Sequence, residues 1–284
     1  MKSILAKFRL YWPLTKSLQT GLLLSTGLAG FMSARCPVMH WYDFLGLAVS
    51  LFLAIAGSTI INMWYDRDID AVMNRTHHRP LADGSISPTE ALRLGLVLSL
   101  LGVGMAVAMS PLYGLIVFAG LFFDALVYTL WLKRRTCWSI VWGGISGGMP
   151  ILAGRAFGTG NIDGIGILLA LAVLFWIPTH ILTFAMRYHE DYRAAKIPTI
   201  ASVYGFPFTR LTIAASSVIA ALSISAAGIL LGMQWGFVRL LAVLSTGLII
   251  LALATVFRPT ERVNFGLFKY ASLFMLSAMI LLSL

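Results

Sequence analysis

Nine apolar stretches run through the sequence, near 17–34, 42–63, 91–109, 111–132, 138–154, 164–186, 211–232, 236–256 and 264–284. Each is close to the roughly 20 residues that a helix needs to cross a bilayer. The chain is 59% hydrophobic and 11% charged, whereas about a quarter of an ordinary soluble domain is charged. This excludes a soluble fold and predicts an all-α integral membrane protein, one domain over 1–284, with almost nothing left for a separate soluble unit. The opening MKSILAKFRLYWPLTK is not followed by a small-residue cleavage site, so the first span is expected to stay in the mature protein.

A net charge of +10 raises nucleic acid as a partner, but the placement of the cations argues against it. With the N-terminus inside, 18 of the 21 Lys and Arg fall on the inner side, from Lys2, Lys7, Arg9 and Lys16 to Lys269, and only Arg35, Arg155 and Arg239 lie outside. That is the asymmetry expected of a cytoplasmic face. It predicts a multi-pass protein of the cell membrane with its N-terminus in the cytoplasm and its C-terminus outside. Cys36 and Cys137 fall on opposite faces and have no metal-type spacing.

The two longest inner connections, about 64–90 and 187–210, hold most of the acids, so the active site is expected on the cytoplasmic side. They follow spans two and six, a weak two-part organisation of the kind expected when a site lies between repeats. Span five concentrates Gly143, Gly144, Ser146, Gly147, Gly148 and Gly154 with Pro150. Small faces let helices approach closely, and they also leave room for a bulky substrate; both readings stay open.

The strongest local motif is Asn62-Met63-Trp64-Tyr65-Asp66-Arg67-Asp68-Ile69-Asp70. On a continuing helix Asn62, Asp66 and Asp70 share one face over roughly 12 Å. Two carboxylates and an amide there suit Mg²⁺, which is usually held by one or two carboxylates together with substrate phosphates. Asp68 points elsewhere and reads as an ordinary surface acid. Arg75 and Arg79 follow directly and are well shaped for phosphate. Lys133 follows Tyr128 on a plausible common face at the inner end of span four.

A second cluster comprises Trp176, His180, Phe184, Arg187, Glu190 and Asp191. Positions 176, 180, 184, 187 and 191 keep a 3–4 spacing, a polar stripe that runs to the membrane edge. His180 lies two or three turns inside the apolar stretch, where ionisable residues are functional candidates. Asp124, also inside a span, has no role assigned by the sequence.

These residues resemble a known group. N-x-x-x-D-x-x-x-D at Asn62 to Asp70, R-T-x-x-R-P-L at Arg75 to Leu81, Y-T-L-W-L-K-R at Tyr128 to Arg134 and G-G-x-x-G-G-x-P at Gly143 to Pro150 look like the UbiA prenyltransferase superfamily. D-R-D-I-D-x-x-M-x-R-T, W-x-x-x-H and D-Y-x-x-A-x-x-P look most like its haem O synthase branch. The resemblance implies nine transmembrane helices around a central cavity that opens to the cytoplasmic side. It also implies transfer of farnesyl, or a similar isoprenoid, from its diphosphate to a hydrophobic acceptor, haem first among the candidates.

On this reading Asn62, Asp66 and Asp70 hold Mg²⁺, and Asp191 with Glu190 holds a second ion. Arg67, Arg75 and Lys133 clamp the diphosphate, Arg187 lies on the same substrate path, and Trp64, Tyr128, Trp176 and Phe184 wall a dry cavity for an allylic cation. His180 is expected on the acceptor side. A UbiA-type enzyme with another acceptor is one alternative. An ion-coupled transporter is another, which Mg²⁺-dependent diphosphate release would separate from an enzyme; for a lipid phosphotransferase no D-G-x-x-A-R precedes the acids.

Overall fold

The structure is a computed structural model that describes residues 9–35 and 40–284. Lys2, Lys7 and Cys36 lie outside the described residues. The long helices are α1 (Ser17–Met32), α2 (Trp41–Tyr65), α4 (Pro88–Met109), α5 (Pro111–Leu121), α6 (Ser139–Thr159), α7 (Gly164–Arg187), α9 (Ile200–Leu230), α10 (Trp235–Phe257) and α11 (Glu261–Ser283). Two short helices, α3 (Arg67–Val72) and α8 (His189–Ala194), follow α2 and α7 at the end of the bundle that carries both acidic motifs, called the inner end below.

Among the described residues seven helices are long and apolar enough to cross a membrane, with α5 and its continuation to Leu132 counted as one. The other two expected spans are helical but fall short of that standard. At 16 residues α1 measures roughly 24 Å, less than the hydrocarbon core. In α6 the apolar run is diluted by its glycines, Pro150 and Arg155.

Helix ends follow local chemistry. The Ser110 and Asp163 side chains accept from the backbone N–H of Tyr113 and Gly166, and Thr199 forms a capping box with Ser202. α1 packs between α2, α6 and α11, while α7 packs against α6, α9 and α11. A cavity lies between α1, α2, α5 with its continuation, and α6. It is bordered by these four elements rather than by the whole ring.

Two local departures shape the inner face. α2 ends at Tyr65, and Asp66 has φ −87° and ψ 5°. Even so, the Asp66 N–H donates to the Asn62 carbonyl at 3.0 Å and the Asp70 N–H to the Asp66 carbonyl at 2.8 Å, so the four-residue spacing survives the break. The second departure is Phe122–Leu132, which continues α5 as a π-helix, with hydrogen bonds from i+5 to i.

Candidate active site

Three side-chain rungs join α2 to the π-helical stretch. At the inner end the Lys133 ammonium donates to Asp66 Oδ2. One turn deeper Asn62 Nδ2 donates to Thr129 Oγ1 at 2.9 Å. Two turns deeper the Ser58 hydroxyl donates to Asp124 Oδ2. Asp66, Asn62 and Ser58 are four residues apart, an α-helical turn, while Lys133, Thr129 and Asp124 are four and then five apart, a series that α winding would carry around the helix.

Two of the three acids of the first motif are buried, Asp66 at 2% and Asp70 at 5% exposure. Arg79 grips Asp70 through both carboxylate oxygens, at 2.9 and 2.8 Å. Lys16 Nζ donates to Asn62 Oδ1 at 3.0 Å. Each proposed ligand therefore carries its own cation. Burial pushes the Lys16 ammonium down to about 8; the repulsion of Arg79 and Lys133 adds to this, while Asp66 and Asp70 oppose it. Asp68 lies off this face and pairs with Arg134, whose hydrogen bonds hold its carboxyl below the ordinary value.

The second acidic motif reaches the first through the segment after α3. Asn74 Nδ2 and the Arg75 backbone N–H donate to Asp191 at 3.4 and 3.2 Å, while Arg79 of the same segment holds Asp70. Glu190 is not drawn in. It is exposed and pairs with Arg193 at 3.4 Å, because α7 breaks at Tyr188 (φ −104°, ψ 32°) and Glu190 starts the short α8 on its outer side. Arg67 also turns away from the acids, donating to the Trp64 carbonyl at 2.7 Å with its guanidinium 5.5 Å from the Trp64 ring.

Aromatic rings carry the remaining cations. The Arg75 guanidinium lies 4.9 Å from the Phe184 ring centroid, and that of Arg187 lies 3.9 Å from Phe265. Lys133 Nζ is 5.7 Å from the Tyr128 ring, one π turn back along the same segment. His180 is sandwiched between Trp176 and Phe268, with centroids at 5.0 and 4.5 Å, and its Nδ1 meets Ser272 Oγ at 3.2 Å. Trp176 donates to the Ala271 carbonyl at 2.7 Å. This group sits between α7 and α11, outside the lining of the cavity beneath Asp66.

The residues present fit a hard divalent cation. Among the described residues no three His, Cys, Asp or Glu side chains converge as a closed cage, but Mg²⁺ asks for only one or two carboxylates when phosphate supplies the rest. Asp66 Oδ1 is buried without a hydrogen-bond partner, and such an atom is costly unless something meets it. Sequence reasoning passed over Lys16 and Thr129: a lysine before the first span reads as a membrane anchor, and nothing in the pattern announces the winding that aims Thr129 at Asn62. Arg79 was legible in the R-x-x-R-P-L segment, though as one cation among several.

A profile of the UbiA prenyltransferase family matches residues 23–277. The chain belongs to that family. Among UbiA relatives, the protohaem IX farnesyltransferase of Archaeoglobus fulgidus is 45% identical over 194 residues, 67% of each chain. That of Desulforudis audaxviator is 37% identical over 271 residues, 92% of this chain and 83% of the relative. Among solved structures, a digeranylgeranylglyceryl phosphate synthase aligns with a TM-score of 0.81 at 18% identity, covering 98% of both chains. An Archaeoglobus fulgidus UbiA homologue bound to GPP and Mg²⁺ aligns with a TM-score of 0.70 at 17% identity, covering 98% of this chain and 99% of the other. These two establish the UbiA fold.

Proposed function

We propose that this UbiA protein transfers a farnesyl group, or a similar isoprenoid, from its diphosphate to protohaem IX at the cytoplasmic face of the membrane. The observation that carries the acceptor is the 37% identity to a protohaem IX farnesyltransferase over 92% of the chain. The homologue bound to GPP and Mg²⁺ supports the choice of ion. Asn62, Asp66 and Asp70 would hold Mg²⁺ on one side of the diphosphate and Asp191 on the other. When bound, Mg²⁺ supplies positive charge that makes the diphosphate a better leaving group.

The chain's own residues do the rest. Lys16, Arg79 and Lys133 surround the acids, and Arg75 stands beside Asp191, a cationic field for the outer phosphate oxygens. Tyr128 and Phe184 turn ring faces toward that field, where they can stabilise an allylic cation. His180, with Trp176 and Phe268 covering its ring faces and Ser272 at Nδ1, offers Nε2 to an acceptor.

The test is incubation of purified protein with Mg²⁺, radiolabelled farnesyl diphosphate and protohaem IX. The expected product is a haem that carries the label. Label transferred only to a quinone precursor or a glycerol lipid would overturn the haem assignment, and no Mg²⁺-dependent diphosphate release with any acceptor would overturn prenyl transfer.

A further inference from the structure

The cavity between α1, α2, the π-helical stretch and α6 lies directly beneath the proposed diphosphate site. Its polar lining is Gln19, Ser58, Thr59, Asp124 and Ser146, and Asp124 is the only carboxylate among the described lining residues. Ser58 precedes Asp66 by eight residues, which sets the Ser58–Asp124 rung roughly 12 Å deeper along α2. The first carbons of an isoprenoid hanging from a diphosphate at Asp66 would descend to this level. A carboxylate facing a largely apolar cavity is costly, and the proposed roles of Asn62, Asp66, Asp70 and Asp191 leave it without a task.

Prenyl transfer itself creates that task. The C1–O bond breaks and its electron pair leaves with the diphosphate. An electron pair of an acceptor double bond then forms the new C–C bond to C1, which leaves positive charge on the neighbouring acceptor carbon. That charge is removed when the acceptor loses a C–H proton, or when a water oxygen bonds to the carbon and the water gives up one proton. Either way a single proton must go to a base within reach of the reacting carbons. Asp66 and Asp70 are bound to Lys133 and Arg79.

We propose that Asp124, oriented by Ser58 at the end of this cavity nearest the diphosphate site, is the general base that accepts the proton released on prenyl transfer. Ser58 donates to Oδ2, which leaves Oδ1 to take the proton. The proton passes to water when the product leaves. This proposal rests on the prenyl-transfer reading, so the experiment measures bond cleavage separately from transfer. Asp124→Asn, Asp124→Glu and Ser58→Ala are compared for binding of a non-cleavable farnesyl thiodiphosphate. They are also compared for scrambling of a labelled bridge oxygen within farnesyl diphosphate and for transfer across pH.

Asp124→Asn is expected to bind the thiodiphosphate as the unaltered protein does and to keep scrambling the bridge label, while transfer falls by about 100-fold or more, the usual scale for a lost general base. Asp124→Glu should restore part of the rate. Ser58→Ala, which keeps the carboxylate but frees its orientation, should shift the pH dependence of kcat with little change in thiodiphosphate affinity. Transfer by Asp124→Asn at the unaltered rate would overturn the proposal and leave the departing diphosphate as the base. Parallel loss of scrambling and transfer would overturn it in favour of a role in ionisation. If Asp124→Asn fails to fold, an unshifted pH profile in Ser58→Ala overturns it. Absence of Mg²⁺-dependent diphosphate release by the unaltered protein would overturn the prenyl-transfer reading, and this proposal with it.

Discussion

Asp124 and Lys133 stand nine residues apart on one helical run, yet both meet α2, at Ser58 and at Asp66. At about 100° per residue an α-helix would set positions nine apart on opposite sides. The π winding of Phe122–Leu132 returns them to the same side.

Inserting one alanine into this stretch therefore tests whether the register matters. An alanine after Leu126, which is exposed, adds a residue beyond the one that the π winding absorbs and should turn Lys133 away from Asp66 by roughly 100°. The expected result is a protein that still inserts, with prenyl transfer reduced by about 100-fold or more, since preorganised charge is a main source of catalysis. Retention of full activity would mean that the rungs are dispensable.

Lys133→Met leaves Asp66 buried with only Arg134, 4.0 Å from Oδ1, as a cation. Breaking one partner of a buried pair costs up to about 3–5 kcal/mol, so the melting temperature in detergent should fall. A ligand that binds only the folded form restores stability by mass action, so Mg²⁺ with inorganic diphosphate should raise the variant's melting temperature more than that of the unaltered protein. An equal rise in both would detach Asp66 from the metal.

Asp66→Asn should lower transfer by about 100-fold or more and also lower stability, because Lys133 is then the unpaired buried charge. A metal ligand free of packing would lose activity alone; here the ion pair couples the two. Asp68→Ala breaks only the exposed contact with Arg134 and should cost no more than about 1 kcal/mol, with transfer nearly unchanged. Equal losses of transfer in the two variants would remove the distinction between the stripe and its neighbour.

His180→Ala should weaken acceptor binding about tenfold, or roughly 1.4 kcal/mol, with diphosphate affinity unchanged. Ser272 meets Nδ1, so Nε2 is the nitrogen that an acceptor would find. The absorption spectrum of added haem should differ between the variant and the unaltered protein. Lost diphosphate affinity with acceptor binding intact would reverse the assignment.

At the outer end the Arg155 guanidinium grips Asp163 at 2.8 and 2.6 Å and holds its carboxyl below the ordinary value. A depressed carboxyl contributes stability above its unfolded pKa, and that stability is lost as pH falls through the folded value. Melting temperature should thus decline below about pH 4, the ordinary carboxylate range. Asp163→Asn should remove this pairing's part of the decline. An unchanged slope in that variant would assign the acid sensitivity elsewhere.

The inner face was legible to the extent that it depends on spacing. Asn62, Asp66 and Asp70 announce themselves four residues apart, and they keep that relation although the helix breaks at Asp66. Glu190 faces away from Asp191 for the opposite reason: adjacency in sequence says nothing about direction once Tyr188 ends α7. The rungs to Thr129 and Asp124 were hidden because hydrophobic periodicity assumes α winding, and the segment that carries them is wound otherwise. Lys16 was hidden because a cation at a span's edge has an ordinary role as an anchor.

The seam between α1 and α6 has a consequence for traffic. A Cβ at Gly30 would collide with the Ile151 carbonyl oxygen, and one at Gly154 with that of Gly27. Backbone lies on backbone there, and Arg155 ties the outer end of the seam to the Ser33 carbonyl at 2.8 Å. No lipid chain can slip between these two helices. An isoprenoid arriving sideways from the bilayer has to find another doorway, and the wall it meets along α1 and α6 is a hinge-free bulkhead against which the remaining helices alone can part.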